Sequence, residues 1–390
     1  MKSYSVINSS VLSVLENISS VDFVPYSDRD SAAENEDLCE DGIEHAHEEF
    51  YLMAQYVTGL IIYPILCIIG ITGNILALIV LGHKDMATST NVYLSALAVS
   101  DTFKLLNDLM YFMILAVSLS DPLTGQIMMS SVYPYAHYIF NMSVCVTAWL
   151  TISVAAERYI CVCHASKAKE LCTIHRARII CSVVFVFMII LSIPSGFRYR
   201  VETVHDVRNN VTCPRVVPTA LGTNDAFMIP YSWIQNSLRG IIPVFVLVYM
   251  NARIINELRK ERVKGKKFSA RNRITLMLIV IIFMFLVCIT PDAIMSTFFG
   301  KGYVEEGYLV KGVREITDSL LAVNSAFNFL LYCSMSQAFR NTFLKIFCPF
   351  RGTVKSPERQ PIARKETLVE GDVIRANGHL KSGKTTETYL

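Results

Sequence analysis

Charge is scarce in this sequence. Only 18% of its 390 residues are Asp, Glu, Lys or Arg, while 52% are hydrophobic. Soluble globular domains carry about 25% charged residues, so a purely soluble protein is excluded. Also missing are a paired nucleophile and base, a metal-ligand cluster and a phosphate-cradling loop, so an enzyme reading has little support. His45 and His47 come nearest to a metal pair, and a solvated acidic tail accounts for them. No apolar core with a cleavage site opens the chain, so the first long apolar stretch is expected to serve as the insertion signal.

What is abundant is apolar runs of membrane-crossing length. They fall at 56–81, 92–119, 135–162, 179–197, 231–250, 274–299 and 313–333, each near the roughly 20 residues a bilayer requires. The expected fold is an all-α membrane protein, a seven-transmembrane helix bundle. The net charge of +3 conceals an asymmetry. Acids crowd the first fifty residues, whereas bases crowd the connection between spans five and six (Arg259, Lys260, Arg262, Lys264, Lys266, Lys267) and follow span three (Lys167, Lys169, Arg176, Arg178). The positive-inside rule makes those basic segments cytosolic and the N-terminus extracellular. Glycosylation sequons at Asn8, Asn17 and Asn210 then fall outside.

The chain accordingly divides into an acidic, glycosylated extracellular tail (1–52), the seven-helix domain (53–335), a short amphipathic eighth helix on the inner leaflet (336–348) and a disordered cytosolic tail (349–390). Cys348 is a candidate palmitoylation site, with an unmodified juxtamembrane thiol as the alternative. A loop of about thirty residues separates spans four and five, near 197–229.

Polar residues inside the runs are costly in hydrocarbon and so become candidate sites. Glu157-Arg158-Tyr159 closes span three with an acid and a base side by side, although interfacial solvation alone explains many such pairs. Asn74, Asp101, Asn324, Ser325 and Asn328 lie at mid-depth, with Tyr332 one turn after Asn328. Helix–helix hydrogen-bond glue suffices for an amide such as Asn74 but leaves the carboxylate of Asp101 needing a cation, a proton or water.

Gly73-Asn74, Leu97-Ala98 with Asp101, Trp149 before Glu157-Arg158-Tyr159, Pro243, Phe285 with Cys288 and Pro291, and Asn328 with Tyr332 occur in order on successive spans. In this set the chain resembles the rhodopsin-like (class A) G-protein-coupled receptors over 56–348. The resemblance implies a sodium- and water-linked polar core at Asn74, Asp101, Asn324, Ser325 and Asn328. It implies a G-protein switch at Glu157, Arg158, Tyr159, Asn251, Asn328 and Tyr332. Departures include Phe329 after Asn328, Ile289 before the span-six proline, Asn251 at the family's span-five tyrosine and Tyr133 at its span-three cysteine. Several of these variants, together with Cys163-His164 and Leu171-Cys172-Thr173, are similar to invertebrate FMRFamide-type neuropeptide receptors.

Span three has no carboxylate between Val132 and Ala156 for an amine, and span seven has no lysine for retinal. A peptide is the best remaining ligand class, and the acidic tail suits a basic one. The candidate ligand residues are Asp292, Asp108, Asp318 and Arg239, with Phe140, Tyr111, Tyr138 and Trp233 as aromatic surface for a peptide Phe. Lys104–Asp108 and Arg239–Asp292 are alternatively self-satisfied structural pairs. If Asp292 accepts a peptide guanidinium, Asp292→Asn is expected to abolish response and leave surface expression normal. Cys213 is expected either to bridge to Cys39 or to stay a free thiol. The terminal Thr388-Tyr389-Leu390 resembles a PDZ ligand, and Ser356, Ser382, Thr385 and Thr386 are candidate phosphosites for arrestin. The competing functions are a class A receptor for another small ligand and a membrane transporter.

Overall fold

A computed structural model describes residues 40–206, 211–263, 270–299 and 307–348. Asn8, Asn17, Cys39, Asn210 and the terminal PDZ-like segment lie outside them, as does the side chain of Cys213. Long aliphatic runs form helices because each backbone amide must find its partner within its own segment once water is gone. Helix α1 runs Glu40–Gln55, widens into a π-helical stretch at Tyr56–Ile62 and continues Tyr63–Leu81. Then follow α2 (Ser89–Ser118), α3 (Pro122–Cys163), a short α4 (Ala165–Leu171) and α5 (Ile174–Gly196). Helix α6 comprises Asp225–Asn236, a π-helical stretch Ser237–Ile241 and Ile242–Val263. Helices α7 (Ala270–Phe298), α8 (Tyr308–Met335) and the amphipathic α9 (Gln337–Phe347) complete the chain.

Starts are set locally. Thr88, Asp121, Thr173 and Ser336 cap α2, α3, α5 and α9 by accepting from Asn91, Thr124, Arg176 and Phe339 backbone N–H groups. The Asp121 cap and Pro122 start α3 well before the apolar run at 135. Helix α1 likewise begins at Glu40 rather than 53, because Tyr51 and Leu52 find apolar cover beside Tyr308 of α8.

Seven helices, α1, α2, α3, α5, α6, α7 and α8, form the bundle, with α3 in contact with α2, α5, α6 and α7. Among the described residues, five (α1, α3, α5, α6 and α7) are apolar and long enough to cross a membrane on composition alone. Helices α2 and α8 are not, because Lys104, Asp108, Lys311 and Glu315 interrupt them. Those four side chains are buried within the bundle. The outer surface is correspondingly aliphatic and aromatic, as at Ile68, Val183 and Phe245. Gly70 allows α1 and α8 to approach, since a Cβ there would sit 2.8 Å from Ala326 Cβ and 2.9 Å from its Cα.

The segment read as a loop near 197–229 contains an antiparallel hairpin, β1 (Tyr199–Asp206) and β2 (Val211–Pro218), in register from Tyr199↔Pro218 to Asp206↔Val211. Tyr199 and Val216 are buried against Tyr133 of α3, the Tyr133 and Tyr199 rings meeting edge-on at 5.3 Å. Ser130 Oγ donates to the Pro214 carbonyl at 3.0 Å. Aromatic packing at Tyr133 thus joins hairpin to helix at the position where the resembled family has a cysteine.

Candidate functional site

A cavity of about 210 Å³ opens at the hairpin end of the bundle, between α1, α2, α3, α6, α7 and α8. That exceeds the roughly 150 Å³ of an engineered cavity that takes up benzene, so it has room for ligand side chains. Asp108, Asp318, Arg239, Phe140 and Tyr111 line it. Asp292, Tyr138 and Trp233 do not. Trp233 is 55% exposed on the outer surface of α6. Tyr138 turns toward α5, its ring against Gly196 and its hydroxyl 3.4 Å from the Ile189 carbonyl.

The floor is a chain of charges and one ring. Lys104 Nζ donates to Asp108 Oδ2 at 2.5 Å, and Arg239 Nη2 to Asp292 Oδ1 at 2.6 Å. All four residues are buried. Phe140 lies between the pairs, with Lys104 Nζ 5.5 Å and the Arg239 guanidinium 5.0 Å from its centroid. Arg239 also donates through Nη1 to Asn141 Oδ1 at 3.0 Å. The π-helical turn frees the Leu238 carbonyl, which accepts from Trp149 Nε1 at 2.8 Å. Asp108 and Asp292 are therefore committed to internal cations, and the face of Phe140 already carries two of them.

Glu315 is committed too, accepting from Tyr111 Oη at 2.9 Å and Thr58 Oγ1 at 3.3 Å. Asp318 and Asp292 each keep one buried carboxylate oxygen, Oδ1 and Oδ2 respectively, without a hydrogen-bond partner. Of the two, Asp318 lines the cavity, and Lys104 reaches its backbone carbonyl at 3.4 Å. Gln55, Asn107, His137 and Gln235 also line the cavity and carried no charge signal in the sequence. Gln55 falls one residue before the apolar run at 56–81, so no polar interruption of a run marked it.

Deeper in the bundle, Asp101 is buried and accepts from Ser325 Oγ at 3.0 Å, Thr147 Oγ1 at 3.2 Å and Asn328 Nδ2 at 2.7 Å. Asn74 Nδ2 donates to the Ser325 carbonyl at 3.1 Å, and its Oδ1 is buried without a partner. Asn324 is buried but does not bond Asp101. One carboxylate, several hydroxyls and an unmatched amide oxygen suit a small hard cation such as sodium.

At the end opposite the hairpin, Glu157 and Arg158 are buried, with Arg158 Nη2 3.5 Å from Glu157 Oε2. Neighbours hold both. Ser89 donates to Glu157, and Arg158 donates to Thr90 Oγ1 at 2.5 Å. Glu157 is thus not the sole restraint on Arg158. Tyr159 packs edge-on to His164 at 5.4 Å. Asn251 and Tyr332 are buried, and Cys348 is exposed just past α9. Lys345 of α9 donates to Asp85 at 2.7 Å and holds that carboxyl below the ordinary carboxylate range.

A profile described as 7 transmembrane receptor (rhodopsin family) matches residues 73–332. The chain is similar to the FMRFamide receptor of Drosophila melanogaster, 26% identical over 369 residues, covering 89% of this chain and 63% of that protein. It is similar to sex peptide receptor-related protein 2 of Caenorhabditis elegans, 27% identical over 323 residues, covering 74% and 71%. It is also similar to the thyrotropin-releasing hormone receptor of Bos taurus, 26% identical over 372 residues, covering 86% and 89%.

Proposed function

The chain belongs to the rhodopsin family of seven-transmembrane receptors, and from that premise we propose that it binds a small, basic, amidated peptide of the FMRFamide type and couples binding to heterotrimeric G-protein activation. As a member of that family it is a multi-pass membrane receptor and not an enzyme. Asp318 carries the peptide reading. It is a cavity-lining carboxylate with an unmatched oxygen, where a cationic ligand supplies the missing partner. Relatives named for FMRFamide, for sex peptide and for thyrotropin-releasing hormone support a peptide ligand. A different small ligand is the second reading, since the cavity's mixed polar and aromatic lining is not peculiar to peptides.

In the proposed topology the hairpin end and the N-terminus face outward, and the basic end meets the G protein. Glycans at Asn8, Asn17 and Asn210 and a Cys39–Cys213 bridge belong to the outer face. Palmitoylation at Cys348, arrestin binding and a PDZ partner at Thr388–Leu390 belong to the inner one. Glu157, Arg158 and Tyr159, with Asn251, Asn328 and Tyr332, form the coupling switch, and sodium occupies the Asp101 cluster in the ligand-free state. Cells expressing the chain should respond to an amidated-peptide panel through at least one G-protein sensor. Silence toward every peptide in a surface-expressed receptor would refute the reading.

A further inference from the structure

We infer that the cavity is polarised and fixes ligand orientation, taking a guanidinium against α1, α2 and α8 and a carbonyl oxygen against α6. The inference rests on the peptide reading and adds which end of the ligand meets which wall. On one side stand three buried acceptor atoms without a protein partner, Gln55 Oε1, Asn107 Oδ1 and Asp318 Oδ1. All three residues line the cavity. The Gln55 amide cannot be turned around. Tyr111 spends its hydroxyl proton on Glu315 at 2.9 Å, so it accepts at 3.0 Å from Gln55, and that atom must be Nε2. Oε1 is therefore the atom left for a ligand, and Gln55 is only 4% exposed.

Three acceptors carrying one negative charge call for a cation with several divergent donors. A guanidinium offers five N–H groups in a planar fork, whereas an ammonium is a compact point charge that fits one acceptor well. Across the cavity the polarity reverses. Arg239 Nε can only donate and is buried without a partner, and beside it Gln235 presents an unmatched amide; both residues line the cavity. The other two guanidinium nitrogens of Arg239 are already given to Asn141 and Asp292. A peptide or amide carbonyl satisfies Arg239 Nε, and a second cation is repelled there. Sites built from unmatched hydrogen-bonding groups discriminate steeply against ligands that leave them unmatched.

The test uses the purified full chain and two probes, Arg-Phe-amide and its isosteric neutral analogue citrulline-Phe-amide, with thermal unfolding as readout. Arg-Phe-amide is expected to raise the melting midpoint at about tenfold or more lower concentration than the citrulline analogue. That gap should shrink in Asp318→Asn, Gln55→Leu and Asn107→Leu. Gln235→Leu should weaken both probes equally and preserve the gap. Ligand-free melting of each variant reports its folding, and the three acceptor variants are independent of one another. The inference is overturned if wild type does not distinguish the probes, if neither stabilises it, or if the gap survives in every folded acceptor variant. Failure of the peptide reading is a separate result, read as the absence of signalling in cells to any amidated peptide.

Discussion

Asp292→Asn should cost the receptor its fold before it costs a ligand contact. Asp292 is fully buried and its Oδ1 lies 2.6 Å from Arg239 Nη2, with Arg239 itself only 5% exposed. Replacing the carboxylate by a neutral amide of the same shape leaves a largely buried guanidinium without its counter-ion. Breaking a buried pair from one side costs roughly 3–5 kcal/mol. Chains of about 150–250 residues shift by about 2–4 °C per kcal/mol and larger ones by less, so the midpoint should fall by several degrees and by no more than about 20 °C. The assay is thermal unfolding of detergent-purified wild type, Asp292→Asn and the double variant Arg239→Met/Asp292→Leu. The double variant should recover most of the loss, because removing both charges removes the desolvation penalty as well. An Asp292→Asn receptor that melts like wild type yet no longer responds to peptide would refute this reasoning. It would return Asp292 to the role of ligand acceptor.

Three further outcomes follow from the geometry. Glu157→Gln should raise ligand-free signalling, and Ser89→Ala or Thr90→Val should raise it as well, because those hydroxyls share the restraint. Basal second-messenger output at matched surface expression measures it, and silence in all three would place the restraint elsewhere. Gly70→Ala should destabilise by about 1–3 kcal/mol, since the new methyl meets the Ala326 backbone at 2.9 Å. Thermal unfolding with Ala77→Gly as a control separates this clash from general loss of packing. The Asp85 carboxyl is lowered by the hydrogen bond from Lys345, so that pairing is complete above the unfolded carboxylate value near about 3.9 and is lost as pH falls through the lower folded value. Hydrogen-exchange protection of α9 should therefore be equal at about pH 7 and about pH 5 and fall only in stronger acid. A drop between those two would show that the Lys345–Asp85 pair is not what holds α9.

The membrane helices were legible because hydrophobicity is a property of the string: an apolar run must shed water whatever its neighbours are. The mid-depth polar residues were legible for the converse reason, and Asp101, Ser325 and Asn328 do meet. The Lys104–Asp108 spacing announced its own pair, since residues four apart share a helix face. Partners across helices were not legible. Whether Asp292 faces a peptide or Arg239 depends on the rotation of α6, which a π-helical turn at Ser237–Ile241 shifts by a residue that no pattern marks. Tyr138 and Trp233 looked like cavity surface from their depth alone, and helix rotation turned them to α5 and to the exterior.

Sequence alone determined that this chain spans a membrane in seven helices, which positions inside them are polar, and that one end is acidic and the other basic. Those follow from transfer energies and charge, which are additive along the chain. Tertiary structure alone decided which carboxylates pair with internal cations and which one lines the cavity with an unmatched oxygen. It also brought an uncharged glutamine, Gln55, just before the first apolar run, to the cavity lining beside Asp318. Hydrogen-bond satisfaction is a pairwise property of atoms brought within about 3 Å, and only the packed bundle sets which atoms those are.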